Sequence, residues 1–328
     1  MPGVPEGEAA ADLRLPPAAD STPGPAIAFL VFGVASGLGL DLCAKWLLAD
    51  YPLPQFILLR SIFGLSVFVL IARWYGGNAS LVTRKWPWHL LRTALATGAM
   101  FGFFYGLAHM PLVNALTLGF TAPLILTALS GPVLGDRVGI RRWLAVVAGF
   151  IGVLIVLRPA AGMVTPAALA VIGAAACYAG LALTARKLAA TESSLALSVY
   201  VISGPLLVSG LLVADDYRPP SAAAWAMFAL AGLCSACAWV GIVGGYRRAS
   251  PALLAPFEYL ALIGGAAAGY LIWNEVPDRW VVVGGTVIIA SGLFVVYREV
   301  GPGMGTALSN RYRRAVGKTG AEKRGPLP

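Results

Sequence analysis

The chain is 328 residues long, 58% hydrophobic and only 12% charged, with a mean hydropathy of +0.78. Soluble domains carry about 25% charged residues, so this composition excludes a soluble enzyme or binding module of ordinary make-up and requires an integral membrane protein. The net charge of +9 does not point to nucleic acid, because most basic residues fall in short connections and the C-terminal tail.

Residues 1–25 are rich in Pro, Ala and Gly and carry Glu6, Glu8, Asp12 and Asp20. They lack the basic start and the cleavage site of a signal peptide and are expected to be a disordered tail. Ten apolar segments follow, near 26–48, 54–73, 88–108, 111–134, 140–158, 166–186, 194–214, 221–245, 251–272 and 279–297. Each is long enough, at about 1.5 Å per residue, to span a hydrocarbon core of about 30 Å. The expected fold is all-α, with ten membrane-crossing helices. Pro or Gly marks most of the connections, among them Pro52, Gly76, Pro111, Gly135, Pro159, Pro219, Pro251 and Pro277.

The first segment carries a ridge at four-residue spacing: Gly33, Gly37, Asp41, Lys45. Residues four apart share a helix face, and charges inside a span turn from lipid toward the bundle. That ridge is expected to look into the protein.

Orientation follows from Lys and Arg in the short loops. One set of connections holds Arg73, Arg84, Lys85, Arg92, Arg137, Arg141, Arg142, Arg186, Lys187, Arg247 and Arg248, and the other only Arg158, Arg218 and Arg279, which is 11 against 3. Both termini are therefore expected on the cytoplasmic side of a bacterial-type inner membrane, with residues 299–328 forming a basic cytoplasmic tail.

Two stretches look alike. MPLVNALTLGFTAPLILTALSGPVLGDR, from Met110, parallels SPALLAPFEYLALIGGAAAGYLIWNEV, from Ser250. Each begins with Pro after a Tyr (Tyr105, Tyr246), runs one apolar span, closes on an acid (Asp136, Glu275) and is followed by a Trp that opens the next (Trp143, Trp280). They are spans four to five and nine to ten. A repeat of five spans is odd, so the halves, 26–158 and 166–298, must be inverted, the common plan of secondary transporters with a site between the halves.

These features, with DLCAKWLLADYPLPQFILLRS from Asp41, resemble the drug/metabolite transporter superfamily in its EamA-type branch. One departure is Asp136–Arg137, where many relatives carry Glu before the basic residue. The resemblance implies a carrier of small organic metabolites, with export of amino acids or similar amphipathic solutes as the first expectation. Vitamin uptake of the riboflavin kind, or S-adenosylmethionine exchange, is the alternative.

Four charged residues fall well inside the segments: Asp41, Lys45, Arg60 and Glu258. From the helical rise, Asp41 lies about 22 Å into span one, Arg60 about 9 Å into span two and Glu258 about 10 Å into span nine. Asp41 is expected to pair with Arg60 or Lys45, while Glu258 has no cation nearby in sequence and is a candidate proton or ligand group. Tyr105, Asn114, Tyr178, Trp239 and Tyr259 each put a polar handle mid-span and are expected to line a substrate cavity.

Other functions lack their chemistry. His89 and His109 lie near span ends and the paired acids Asp215 and Asp216 lie in a loop, which disfavours a membrane enzyme. No Walker A pattern and no repeated selectivity loop occurs, which disfavours an ATP-driven pump or a channel. Cys43, Cys177, Cys234 and Cys237 are expected to be inert buried thiols, with no metal and no cofactor. The expected partners are a small-molecule substrate and the bilayer, with a monomer and a homodimer both compatible.

Overall fold

The computed structural model describes residues 23–74, 83, 85–134, 139–158, 164–188, 192, 194–246, 248–249 and 251–300. Residues 1–22, the basic tail from 301 and Asp136–Arg137 lie outside them. The described residues form helices α1 (Pro23–Leu47), α2 (Leu53–Trp74), α3 (Trp86–His109), α4 (Leu112–Gly119), α5 (Ala122–Leu134), α6 (Ile140–Leu157), α7 (Pro166–Leu188), α8 (Ser194–Leu212), α9 (Ala222–Tyr246), α10 (Pro251–Glu258), α11 (Leu260–Trp273) and α12 (Arg279–Val300). A 3-10 turn, Val213–Asp215, follows α8.

Eight stretches are long and apolar enough to cross a membrane, and shorter apolar stretches, Leu53–Val67 and Tyr200–Asp215, supply the remaining two of ten. Helices satisfy their own backbone polar groups, which is why this composition folds into them inside lipid. Spans four and nine are each interrupted midway. The α4–α5 break falls at Phe120–Thr121, where Pro123 cannot donate the amide that would bind Gly119. The α10–α11 break falls at Tyr259, three residues after Pro256 within α10.

Packing repeats under exchange of the two halves. α1 lies along α9, and its counterpart α7 lies along α3; α2 packs on α9 as α8 packs on α3. The pairs α2·α8 and α6·α12 join an element to its own counterpart. These are the contacts of two inverted five-span repeats about a pseudo-twofold axis. Lipid offers no hydrophobic drive between helices, so small residues bring the backbones together. A Cβ at Gly241 would stand 2.5 Å from Gly33 Cα, and one at Gly152 would stand 2.8 Å from Gly284 O. The Gly33–Lys45 ridge faces inward: Gly33 and Gly37 meet α9, and Lys45 is nearly buried.

The connections at the end opposite the termini, the distal end, are tied to one another by polar contacts. Arg218 donates to Asp50 O at 2.7 Å and Gln55 exchanges two hydrogen bonds with the Arg218 backbone. Arg158 pairs with Asp278 at 2.5 Å, and Lys45 reaches both Met110 O and Glu275. Phe56 anchors the core beside them, edge-on to Phe104 at 5.0 Å and tilted against Phe228 at 6.4 Å.

One expectation is corrected here. Arg92 is not a loop residue: α3 begins at Trp86, so Arg92 lies in its second turn, 4% exposed, donating to Leu181 O and Thr184 Oγ1 on α7. The bundle holds more than four inner charges because a long side chain near a helix start folds back into the α3–α7 contact.

Candidate functional site

Asp41 and Arg60 project from α1 and α2 at similar depth in the distal half. Arg60 is 6% exposed; it donates to Ser235 Oγ on α9 at 3.1 Å and to Met100 Sδ on α3 at 3.0 Å, and its guanidinium lies 5.6 Å from the Phe104 ring centre. The charges of Asp41 and Arg60 act on each other, yet no ion pair joins them, and the Asp41 carboxylate accepts no hydrogen bond among the described residues. The expected Asp41–Lys45 contact does not form. Lys45 instead pairs with Glu275 in the turn before α12 at 2.7 Å and donates to Met110 O, so its ammonium is taken up at the distal end of the bundle.

A second cluster lies in the half nearer the termini. The Tyr246 hydroxyl, at the end of α9, donates to Glu258 Oε1 at 2.5 Å. Tyr178 on α7 and Tyr259 interact electrostatically with the same carboxyl. Tyr178 is 61% exposed in mid-helix. Tyr259 stacks on Phe120 at 4.8 Å and directs its hydroxyl at Gly292 of α12.

The remaining candidates stand apart from these clusters. Tyr105 lies at the distal end of α3 with its ring 4.4 Å from His109. Asn114 is partly buried on α4, and Trp239 is half-exposed on α9.

Sequence reasoning missed Ser235, Tyr246 as the partner of Glu258, and Glu275 as the partner of Lys45. A serine in an apolar span carries no signal of its own. Tyr246 and Glu275 were visible as punctuation of the repeat but not as partners. At the termini end, His89 in the first turn of α3 contacts Glu192, which lies between α7 and α8, at 3.1 Å. That hydrogen bond, with help from the Thr83 side chain and the charges of His89 and Lys85, holds the Glu192 carboxyl below the ordinary glutamate range. No group of three or more His, Cys, Asp and Glu is placed to hold a metal among the described residues.

The family profile described as EamA-like transporter family matches residues 24–158 and again 165–298. The chain is 29% identical to a riboflavin transporter of Vibrio cholerae, over 84% of this chain and 93% of that one. It is also 29% identical to an S-adenosylmethionine uptake transporter of Rickettsia prowazekii, over 83% and 92%. A pseudopaline exporter of Pseudomonas aeruginosa is 25% identical, over 74% and 86%. One crystal structure superposes with a TM-score of 0.58 at 17% identity, covering 84% of this chain and 99% of that one, a likeness of fold.

Proposed function

The chain belongs to the EamA-like transporter family, and from that premise we propose that it is a secondary carrier moving a small amphipathic metabolite by alternating access. The substrate sits between the two halves, where Asp41 and Arg60 present opposite charges held apart. That separation is the observation on which the reading rests. Asp41 is left for an amino or other cationic group of the solute, and Arg60, held by Ser235, Met100 and Phe104, has guanidinium N–H groups to turn toward a carboxylate or similar acceptor. Tyr178 adds an amphipathic surface, and Glu258 is the group to bind a cationic moiety or to carry a proton.

The protein lies in the inner membrane with both termini cytoplasmic, as the alternation of basic loops requires. The relatives are named for uptake and for export, so the net direction in this reading follows the gradients and is not built into the fold. Transport needs no covalent chemistry from this chain, and none of the residues assigned here acts as a nucleophile or general base toward substrate.

The test is purified protein in liposomes, with ligands first found by thermal shift across amino acids, vitamins and nucleoside derivatives. Saturable uptake with counterflow is expected, and an unsaturated ion current would instead mean a channel. Asp41→Asn should weaken transport about tenfold or more, the loss of one charged contact of about 1.4 kcal/mol. Glu258→Gln should preserve insertion and abolish accumulation driven by a pH gradient. Wild-type flux and pH response in that variant would remove Glu258 from the site.

A further inference from the structure

The packing departs from the pseudo-symmetry between spans four and nine. In the distal half α4 packs on α11; in the half nearer the termini their counterparts, α10 and α5, make no comparable contact among the described residues. The burial agrees. Leu112, Val113, Ala115, Leu116, Thr117 and Leu118 of α4 are buried, whereas on α10 Leu254 and Ala255 are buried but Leu253 and Pro256 are exposed. The two spans cross where Phe120 stacks on Tyr259, at the two helix breaks. Beyond that crossing they close: Leu116 fills the space left by Gly265, and Leu112 lies against Gly269.

One carboxylate fastens the closed side. Glu275 Oε1 takes Lys45 Nζ at 2.7 Å, and Oε2 takes the Leu112 amide at 2.8 Å, an otherwise unsatisfied donor at the start of α4. Lys45 Nζ also donates to Met110 O at 2.9 Å. A single side chain thus ties α1, the α3–α4 turn and the α11–α12 turn. The anion sits at a helix N-terminus, and both side chains are less than a fifth exposed, where charge-assisted hydrogen bonds are strong.

We propose that spans four and nine are the gate of the carrier, shut at the distal end and parted at the termini end in this structure, and that Glu275 is the positioning residue that holds the distal side shut. This rests on the carrier reading. Opening the distal mouth requires Glu275 to release Lys45 and the α4 amide together, while α5 and α10 close about the Phe120–Tyr259 crossing.

The test starts from a parent with Cys43, Cys177, Cys234 and Cys237 replaced. A Cβ at Gly269 would lie 3.9 Å from Leu112 Cβ, within disulfide range, so Leu112→Cys/Gly269→Cys should cross-link with copper phenanthroline. Cross-linking should cut counterflow about tenfold or more by locking one state, with recovery on reduction; because a Cβ at Gly269 also meets Glu275 Oε2 at 3.2 Å, the reduced double variant is the reference for the unlinked rate. A membrane-impermeant maleimide should still label Tyr178→Cys from the termini side of the locked protein. Glu275→Gln should raise labelling of Leu116→Cys from the distal side several-fold, and Glu275→Asp should restore part of the protection. A cross-linked protein that transports at the unlinked rate, failure of the pair to cross-link, or labelling unchanged by Glu275→Gln would overturn the proposal. If the parent shows no saturable exchange, the carrier reading fails, and the labelling results still decide the gate.

Discussion

Each charged side chain within the bundle meets its burial cost differently. Lys45 has a carboxylate and a carbonyl, Arg60 a hydroxyl, a thioether and a ring face, and Arg92 a carbonyl and a threonine hydroxyl. Asp41 has none of these among the described residues, which is why it is the strongest candidate for a ligand contact. Arg92, by contrast, is fully engaged in holding α3 to α7. Arg92→Met should therefore lower stability by about 2 kcal/mol, the loss of a charge-assisted hydrogen bond, measured by thermal or denaturant unfolding in detergent. Its transport defect should follow the loss of folded protein, unlike that of Asp41→Asn. Glu192 offers a pH test. Its folded pKa is depressed, so the contribution of its contact with His89 is complete above the ordinary value of 4.5 and is lost as pH falls through the lower folded value. Melting curves of wild type and Glu192→Gln should differ at neutral pH and converge in acid below that range.

Among elements, the α1–α9 contact depends on the absence of side chains. Gly33 and Gly241 bring two backbones to a distance that no Cβ permits, and Ala238 continues the seam toward Gly37. Gly241→Val should force the helices apart and destabilise by about 1–3 kcal/mol or prevent folding, read as loss of a monodisperse peak and of melting temperature. Gly37→Ala is the control: its Cβ would stand 3.9 Å from Ala238 Cβ, ordinary contact, and should be tolerated. The interrupted spans obey a different rule. Pro123 removes one ladder bond, and the α4–α5 break it produces meets the break at Tyr259, so the two interruptions lie in contact. A bend is least costly there, which suits a crossing about which the halves of two spans separate.

At the scale of the molecule, the chain runs through ten spans of alternating direction and repeats much of its packing after five. That symmetry makes the asymmetry informative: two related arrangements of one architecture, one closed and one parted, are what a carrier must exchange. The orientation is open to direct measurement. A reporter fused after residue 298 should be active only when cytoplasmic, and adding arginines to the connection holding Asp215 and Asp216 should disturb insertion more than adding them near Arg141.

The number of spans, the repeat, the inward glycine–acid–base ridge and the mid-span positions of Asp41, Arg60 and Glu258 were all legible in the linear chain. Each depends on local properties: apolar length, the spacing of residues on one helix, and punctuation by Pro and Gly. The partners were not legible. Lys45 joins Glu275 and not Asp41, Glu258 joins Tyr246, and Arg92 turns inward to α7. Those choices are made by how helices cross, and a crossing is set by the summed packing of many small residues far apart in sequence. The interruption of spans four and nine lay between these cases, since its prolines were visible but its meeting point was not. Which mouth is closed was decided by tertiary structure alone, because an inverted repeat gives both halves nearly the same local propensities and leaves the choice to contacts between them.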